Sequence, residues 1–170
     1  MKKLLPITLL LVLAWSPPVF AQQTWPSHIT LRTATQVELP SDSLVNRGHP
    51  TIISFWATWC KPCNKELDAL SELYDEWREE TGVRIYAIAV DDSRSQADVV
   101  PHANGRGWPF DVLLDSNQEL MRALHIFAVP YTLLLDGQGT IVYQHNSYKD
   151  GDEDELLEQI KKLAASLTPQ

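Results

Sequence analysis

Cys60 and Cys63 are the only cysteines of this chain, three apart in Trp59-Cys60-Lys61-Pro62-Cys63. Two thiols at that spacing can form a disulfide, hold a soft metal ion or stay inert. The pair follows a short apolar run, Phe55-Trp56-Ala57, and precedes an amphipathic helical pattern, a setting that points to redox chemistry. On the first turn of a helix both sulfurs lie on one side, close enough to bridge. The first cysteine then faces unpaired backbone N–H groups and the positive end of the helix dipole, which favour its thiolate. The thiolate is the form that attacks a disulfide. Cys60 is therefore read as the nucleophile and Cys63, one turn inside, as the resolving thiol. A purely structural staple is the weaker alternative, because so small a loop restrains the unfolded chain little.

The helix that carries the pair adds a carboxyl. At about 100° per residue, Cys63, Leu67, Leu70, Leu73, Tyr74 and Trp77 fall on one arc. Glu66 falls inside that arc, whereas Lys65, Asp68, Glu72, Asp75, Glu76 and Glu79 fall outside it. Glu66 either sits partly desolvated one turn past Cys63, with a raised pKa and protons to exchange with the cysteines, or bends to the edge and is solvated. Trp59 can shield one side of Cys60, and Lys61 stands beside it. Pro62 suits the first helical position, N1, because it has no N–H to leave unpaired. Pro130 follows Val129 at the start of an apolar run, an ordinary place for proline at a strand end.

These residues need a scaffold, and the pattern supplies one. Alternation over Ile29–Leu39 suggests an N-terminal hairpin. Thr51–Trp56 reads as a buried strand after the breaker Gly48-His49-Pro50. Lys61–Glu80 reads as a helix stopped by Thr81-Gly82, and Val83–Val90 as a strand covered on both faces. Strand, helix and strand make a βαβ unit with a right-handed crossover. A helix over Ser93–Asn104, disturbed by Pro101, a strand over Phe110–Leu114 and a short helix over Asn117–Leu124 follow. Tyr131–Leu135 and Thr140–Gln144 are strands around Asp136-Gly137-Gln138-Gly139, and Asp152–Ser166 is the last helix. The sum is an α/β domain: a βαβ half, an inserted helix and strand, and a ββα half.

The N-terminus reads as a secretory signal over residues 1–21. Lys2 and Lys3 precede an apolar run of 12 residues, Leu4 to Trp15, and Val19 and Ala21 mark cleavage after Ala21. The run is short for a membrane span, and an uncleaved tether is the alternative. Residues 22–170 then form one domain. Cleavage takes two lysines and no acids from 14 bases and 22 acids, leaving a net charge near −10. That balance argues against nucleic acid or an anionic membrane surface as partner. Export places the cysteines where disulfides persist. His28, His49, His102, His125 and His145 show no metal-ligand spacing and are read as surface or loop-packing residues, with His125 near enough in sequence to Pro130 to approach the sulfurs. Trp56, Trp77 and Trp108 are read as core.

Phe55-Trp56-Ala57-Thr58-Trp59-Cys60-Lys61-Pro62-Cys63 resembles the active-site segment of thioredoxin-like proteins, and Val129-Pro130-Tyr131-Thr132 resembles their cis-proline loop. The leader, the hairpin, the insertion and Cys60-Lys61-Pro62-Cys63-Asn64-Lys65-Glu66 resemble exported thiol-disulfide oxidoreductases of the TlpA/ResA type. The resemblance spans about Ile29 to Leu167. It implies a thioredoxin-like fold, a central mixed sheet flanked by helices, and a cis bond at Pro130 that sets the Val129 backbone beside the sulfurs for strand-like pairing with substrate. It implies that Glu66 tunes the thiols and that Lys61 and Pro62 tune the potential. Lys-Pro is closer to the Gly-Pro of reducing thioredoxins than to the Pro-His of strong oxidants, which favours a reductase. Ser54 departs from the pattern, since many thioredoxins carry a buried acid there.

The resulting expectation is a monomeric periplasmic reductase of protein disulfides, for example in cytochrome c maturation. It would use no cofactor beyond the Cys60–Cys63 pair, draw electrons from a membrane-bound thiol donor, and act on substrate proteins with disulfides or thiols. The alternatives are an oxidase, or a copper- or zinc-handling chaperone that uses the thiols as ligands.

Overall fold

The computed structural model describes residues 24–167, so the leader read over 1–21 and its cleavage point lie outside the described residues. The alternating segment near the N-terminus does fold back on itself. Strand β1 (Thr30–Thr33) pairs antiparallel with β2 (Glu38–Pro40), and Leu31 is wholly buried. A 3-10 turn over Ser41–Leu44 follows, with no counterpart in the hydrophobic pattern. It is fixed by Trp25 Nε1, which donates to Ser41 O at 2.8 Å, and by Ser41 Oγ, which donates to Pro26 O at 2.6 Å.

The βαβ unit is as expected. Strand β3 (Thr51–Trp56) is buried at every position, helix α1 (Lys61–Thr81) crosses over, and β4 (Arg84–Ala89) returns parallel to β3. Gly82 ends α1 with a left-handed φ of 70°, and its N–H reaches Arg78 O at 2.9 Å. This is the cap that glycine permits at low steric cost.

The remaining elements are α2 (Gln96–Arg106), β5 (Asp111–Leu114), α3 (Glu119–Ala123), β6 (Tyr131–Leu135), β7 (Ile141–Asn146) and α4 (Asp152–Leu167). Two helix starts shift from the sequence reading. Asp92 accepts from the backbone N–H groups of Arg94 and Ser95, so the chain turns there and α2 starts at Gln96. Pro101 does not end α2; it is exposed, and its ring meets solvent rather than core. Buried Asp115 collects the N–H groups of Glu119, Leu120 and Met121, which delays α3 to Glu119.

One seven-stranded mixed sheet results, in the order β2-β1-β5-β4-β3-β6-β7. Strands β3, β4 and β5 run parallel, and β6 runs antiparallel to β3 and to the edge strand β7. Helix α1 packs on β3, β4 and α4. Trp56, Trp77 and Phe55 are the largest fully buried side chains, and Trp108 is also buried, as their sequence context suggested.

The β6–β7 turn leans on the loop before β3. A Cβ on Gly137 would lie 2.6 Å from Gly48 N and 2.7 Å from Gly48 Cα, with backbone on both sides of the clash. Gly137→Ala should therefore cost about 1–3 kcal/mol by overpacking. At roughly 2–4 °C per kcal/mol for a domain of this size, thermal melting should show the loss. An unchanged melting temperature would mean that this contact yields freely.

Candidate active site

The chain enters the site from β3, which delivers Trp56 and Ala57 as buried residues. The next turn is tied down by polar side chains from other elements. Buried Asp91, just past β4, accepts from Thr58 N at 3.0 Å and from Thr58 Oγ1. Asn64, one turn into α1, donates through Nδ2 to Cys60 O at 2.9 Å and to Thr58 O at 3.3 Å. Its Oδ1 lies 2.7 Å from His102 Nε2 of α2. Because Nδ2 is committed to two carbonyls, Oδ1 must accept, so His102 carries its proton on Nε2. Arg106 Nε, 3.2 Å from the same nitrogen, then finds no lone pair there, and its guanidinium is held by Asp68 instead. Trp108 Nε1 also donates to Asp68, at 2.9 Å, and the Trp108 and His102 rings both lie against Trp56. Helix α2 is thus coupled to the cysteine turn through one imidazole.

Within this frame Cys60 is the N-cap of α1, and Cys60 Sγ accepts from Cys63 N at 3.3 Å. Cys60 and Cys63 are joined by a disulfide with their Cα atoms 5.3 Å apart. Cys60 keeps 4% of its surface exposed, whereas Cys63 keeps none. Lys61 and Pro62 are exposed as the first two helical residues. Pro62 therefore stands at N2 rather than at the expected N1. The change costs nothing, because an N2 amide also lacks an intrahelical acceptor. Trp59 is 67% exposed beside Cys60, and Phe127, in the loop before Pro130, is 90% exposed. The Val129–Pro130 bond is cis, Val129 is half-buried against the core, and Pro130 is buried.

Glu66 is buried, so of its two readings the solvated one does not hold. Its carboxyl points at the sheet between two hydroxyls. Thr132 Oγ1 donates to Oε1 at 2.6 Å, and Ser54 Oγ donates to Oε2 at 3.3 Å. Ser54 is here a donor to an acid on the facing helix, in place of the strand acid that the resemblance led one to expect. Burial pushes the Glu66 carboxyl up to about 7, against the pull of the Thr132 hydroxyl and the attraction of nearby His145. Cys63 and Glu66 stand three residues apart on the same buried face of α1, where side chains are neighbours. A carboxyl that is half-protonated near neutral pH at that place can take or give a proton.

The histidines correct the sequence reading in part. His125 is exposed at a left-handed position just after α3. His28 is exposed as well, 4.0 Å from Asp42. His102 and His145 are half-buried and belong to polar clusters around the site, which spacing along the chain does not reveal. Asn64 and Asp91 were also missed. A polar residue one helical turn past Cys60, and an acid ending a buried strand, are the signals that point to them. Among the described residues no group of three or more His, Cys, Asp or Glu side chains is placed to hold a metal ion.

Comparison with known proteins agrees with this geometry. The AhpC/TSA family matches residues 23–144. Sporulation thiol-disulfide oxidoreductase A of Bacillus subtilis (strain 168) is 31% identical over 143 residues, 82% of this chain and 87% of that protein. Thiol-disulfide oxidoreductase ResA of Bacillus thuringiensis (strain Al Hakam) is 35% identical over 98 residues, 58% of this chain; that match spans only 55% of ResA. The solution structure of a thioredoxin-like protein from Porphyromonas gingivalis superposes with a TM-score of 0.74 at 38% identity, over 86% of this chain and 95% of that one. The family match over residues 23–144 takes in the hairpin, the cysteine turn and the proline loop, and this chain belongs to the AhpC/TSA family of thioredoxin-like proteins, among the thiol-disulfide oxidoreductases.

Proposed function

We propose that the protein is an exported reductase of protein disulfides, acting outside the cytoplasm in an assembly that requires free thiols, such as cytochrome c maturation. The observation that carries the reading is Cys60 Sγ capping α1, with the N–H of Cys63 directed at it. The cycle starts from the reduced pair. Cys60 thiolate attacks one sulfur of a substrate disulfide and releases the other as a thiolate. Cys63 then loses its proton and attacks Cys60 Sγ, which releases the second substrate thiolate and closes the Cys60–Cys63 disulfide. Two electrons pass to the substrate, and each released thiolate takes one proton. A thiol donor, placed by this reading at the membrane, restores the pair. The disulfide is the only redox group required.

Trp59, Val129 and Pro130 are assigned to the substrate-facing rim, and Lys61 and Pro62 to setting the potential. The strongly acidic chain fits substrates that are proteins rather than nucleic acid, and action as a monomer. Among the described residues no helix is long and apolar enough to cross a membrane. Trapping mixed disulfides in cells with Cys63→Ser, followed by identification of the partners, tests the substrate class.

Cys60 should be the more reactive thiol. Alkylation of the reduced protein with peptide mapping should label Cys60 first, and preferential labelling of Cys63 would reverse the roles.

The potential should fall nearer thioredoxin's roughly −270 mV than the roughly −120 mV of the strong oxidant. Equilibration with glutathione measures it. A value close to the oxidant's would turn the reading toward an oxidase.

Glu66→Gln should change two pH profiles. Burial raises the Glu66 carboxyl to about 7 from an ordinary 4.5, so between those values the folded chain holds more protons than the unfolded one. The contribution of Glu66 to stability should fall as pH climbs through that window, by on the order of 3 kcal/mol. Glu66→Gln should lack the fall. Its thiolate absorbance should also develop at lower pH, because no neighbouring carboxylate opposes the thiolate. Superimposable curves for both proteins would exclude Glu66 as a partner of the thiols.

A further inference from the structure

Glu66 is only 4% exposed, yet a carboxyl that exchanges protons once per cycle must be recharged. The sheet beneath it offers a path. Ser54 of β3 is directly opposite Thr132 of β6, and Thr132 is directly opposite His145 of β7. Opposed residues on adjacent strands share a face and bring their Cβ atoms to about 4.5–5.5 Å. Ser54, Thr132 and His145 therefore form one polar row under Glu66, and it runs outward to the edge strand of the sheet. On β7 the inward positions are Ile141, Tyr143 and His145, while Val142, Gln144 and Asn146 face out.

At the outer end of the row α4 begins. His145 Nε2 lies 3.0 Å from Asp152 Oδ2, but out of line for a hydrogen bond, and that nitrogen is buried without another partner. A cavity of about 10 Å³ is shared by Glu66, Thr132, His145, Tyr148, Asp152 and Glu153, near the lower limit for one water molecule. His145 and Asp152 are each between a quarter and a third exposed, so the far end of the cluster reaches solvent. The groups that face His145 are Glu66 from α1, Thr132 from β6, Tyr143 on its own strand, Tyr148 from the following loop, and Asp152 and Glu153 from α4. Tyr148 is already committed as a donor to Glu153 at 3.0 Å. An imidazole side chain has one nitrogen to accept a proton and another to donate one, as a relay requires.

We propose that His145, oriented by Asp152, is the proton outlet of Glu66 and carries protons between the buried carboxyl and solvent at the β7 edge. The proposal rests on the thiol-disulfide reading above. In the resolving step Cys63 passes its proton to the Glu66 carboxylate as its sulfur attacks Cys60. Within that same step Glu66 relays the proton to His145, and the imidazolium releases it to water. The proton count closes, because the thiolate leaving the substrate takes up one proton from solvent. His145 touches neither sulfur, so it is a positioning and relay residue that acts through Glu66.

The two thiols can be followed separately with Ellman's reagent. Reduced Cys60 releases one thionitrobenzoate, and Cys63 releases the second as it closes the disulfide. In His145→Gln and His145→Ala the first release should keep its rate, and the second should slow about tenfold near neutral pH and show an altered pH profile. Free imidazole should restore the second release in His145→Ala, and neither substitution should add to the effect of Glu66→Gln. His145→Gln fills the site and keeps the test open if the alanine variant folds poorly. A second release in His145→Gln with wild-type rate and pH profile, or a slow one in a folded His145→Ala that imidazole does not restore, would overturn the outlet. Absence of any second release from the wild-type protein would instead overturn the thiol-disulfide reading itself.

Discussion

The burial of one carboxyl on the sheet-facing side of α1 constrains much of this structure. An ionised group taken out of water must find hydrogen-bond donors or give up its charge. Glu66 does some of each, with two hydroxyl donors and a proton affinity raised by burial. Both donors sit in largely apolar strands, at Ser54 of β3 and Thr132 of β6. A slip of one residue in either strand would turn Ile53 or Leu133 to the carboxyl and leave it unpaired. The acid therefore helps fix the register of the two central antiparallel strands.

The cysteine turn is held by a second, separate set of contacts. Asp91 grips Thr58 on the approach, and Asn64 grips the carbonyls of Thr58 and Cys60 from within the helix. These anchors come from β4 and α1, and through His102 from α2. A turn whose backbone is already set brings the two sulfurs together with little chain entropy left to lose, the advantage of preorganisation in a reactive site. Inserted helix α2 and the loop after it are part of that anchorage, through His102 on Asn64 and through Arg106 and Trp108 on Asp68.

Much of the frame was legible in the sequence because its signals are local. Period-two and period-3.6 patterns located β3, α1, β6 and α4 to within a residue or two, since each buries a continuous face. The cysteines were legible by spacing and Glu66 by its angle on the helix. The 3-10 turn at Ser41–Leu44 was not, because it depends on Trp25 and Pro26, some 15 residues away. The starts of α2 and α3 were not, because Asp92 and Asp115 cap by side chain what the hydrophobic pattern would have continued. His102 and His145 were missed for a stronger reason. Each is 38 or more residues from the partner that gives it meaning, Asn64 in one case and Glu66 in the other, and only sheet order brings them together.

That order separates two traffics a thiol-disulfide enzyme must handle. On the proposed cycle electrons are exchanged at Cys60, at the entry of α1, where Trp59 stands out from the surface. A protein substrate docked there covers the rim and removes the nearest water. Protons cannot then leave by the same side without the substrate shifting. Glu66 lies one turn deeper, facing the sheet, and the polar row from Ser54 through Thr132 to His145 leads to the edge strand. A route through the back of the site stays open while the front is occupied. An acid carried by the helix and opening toward the sheet edge serves that purpose better than one on β3 would. This gives a physical reason for a hydroxyl, rather than a carboxyl, at Ser54.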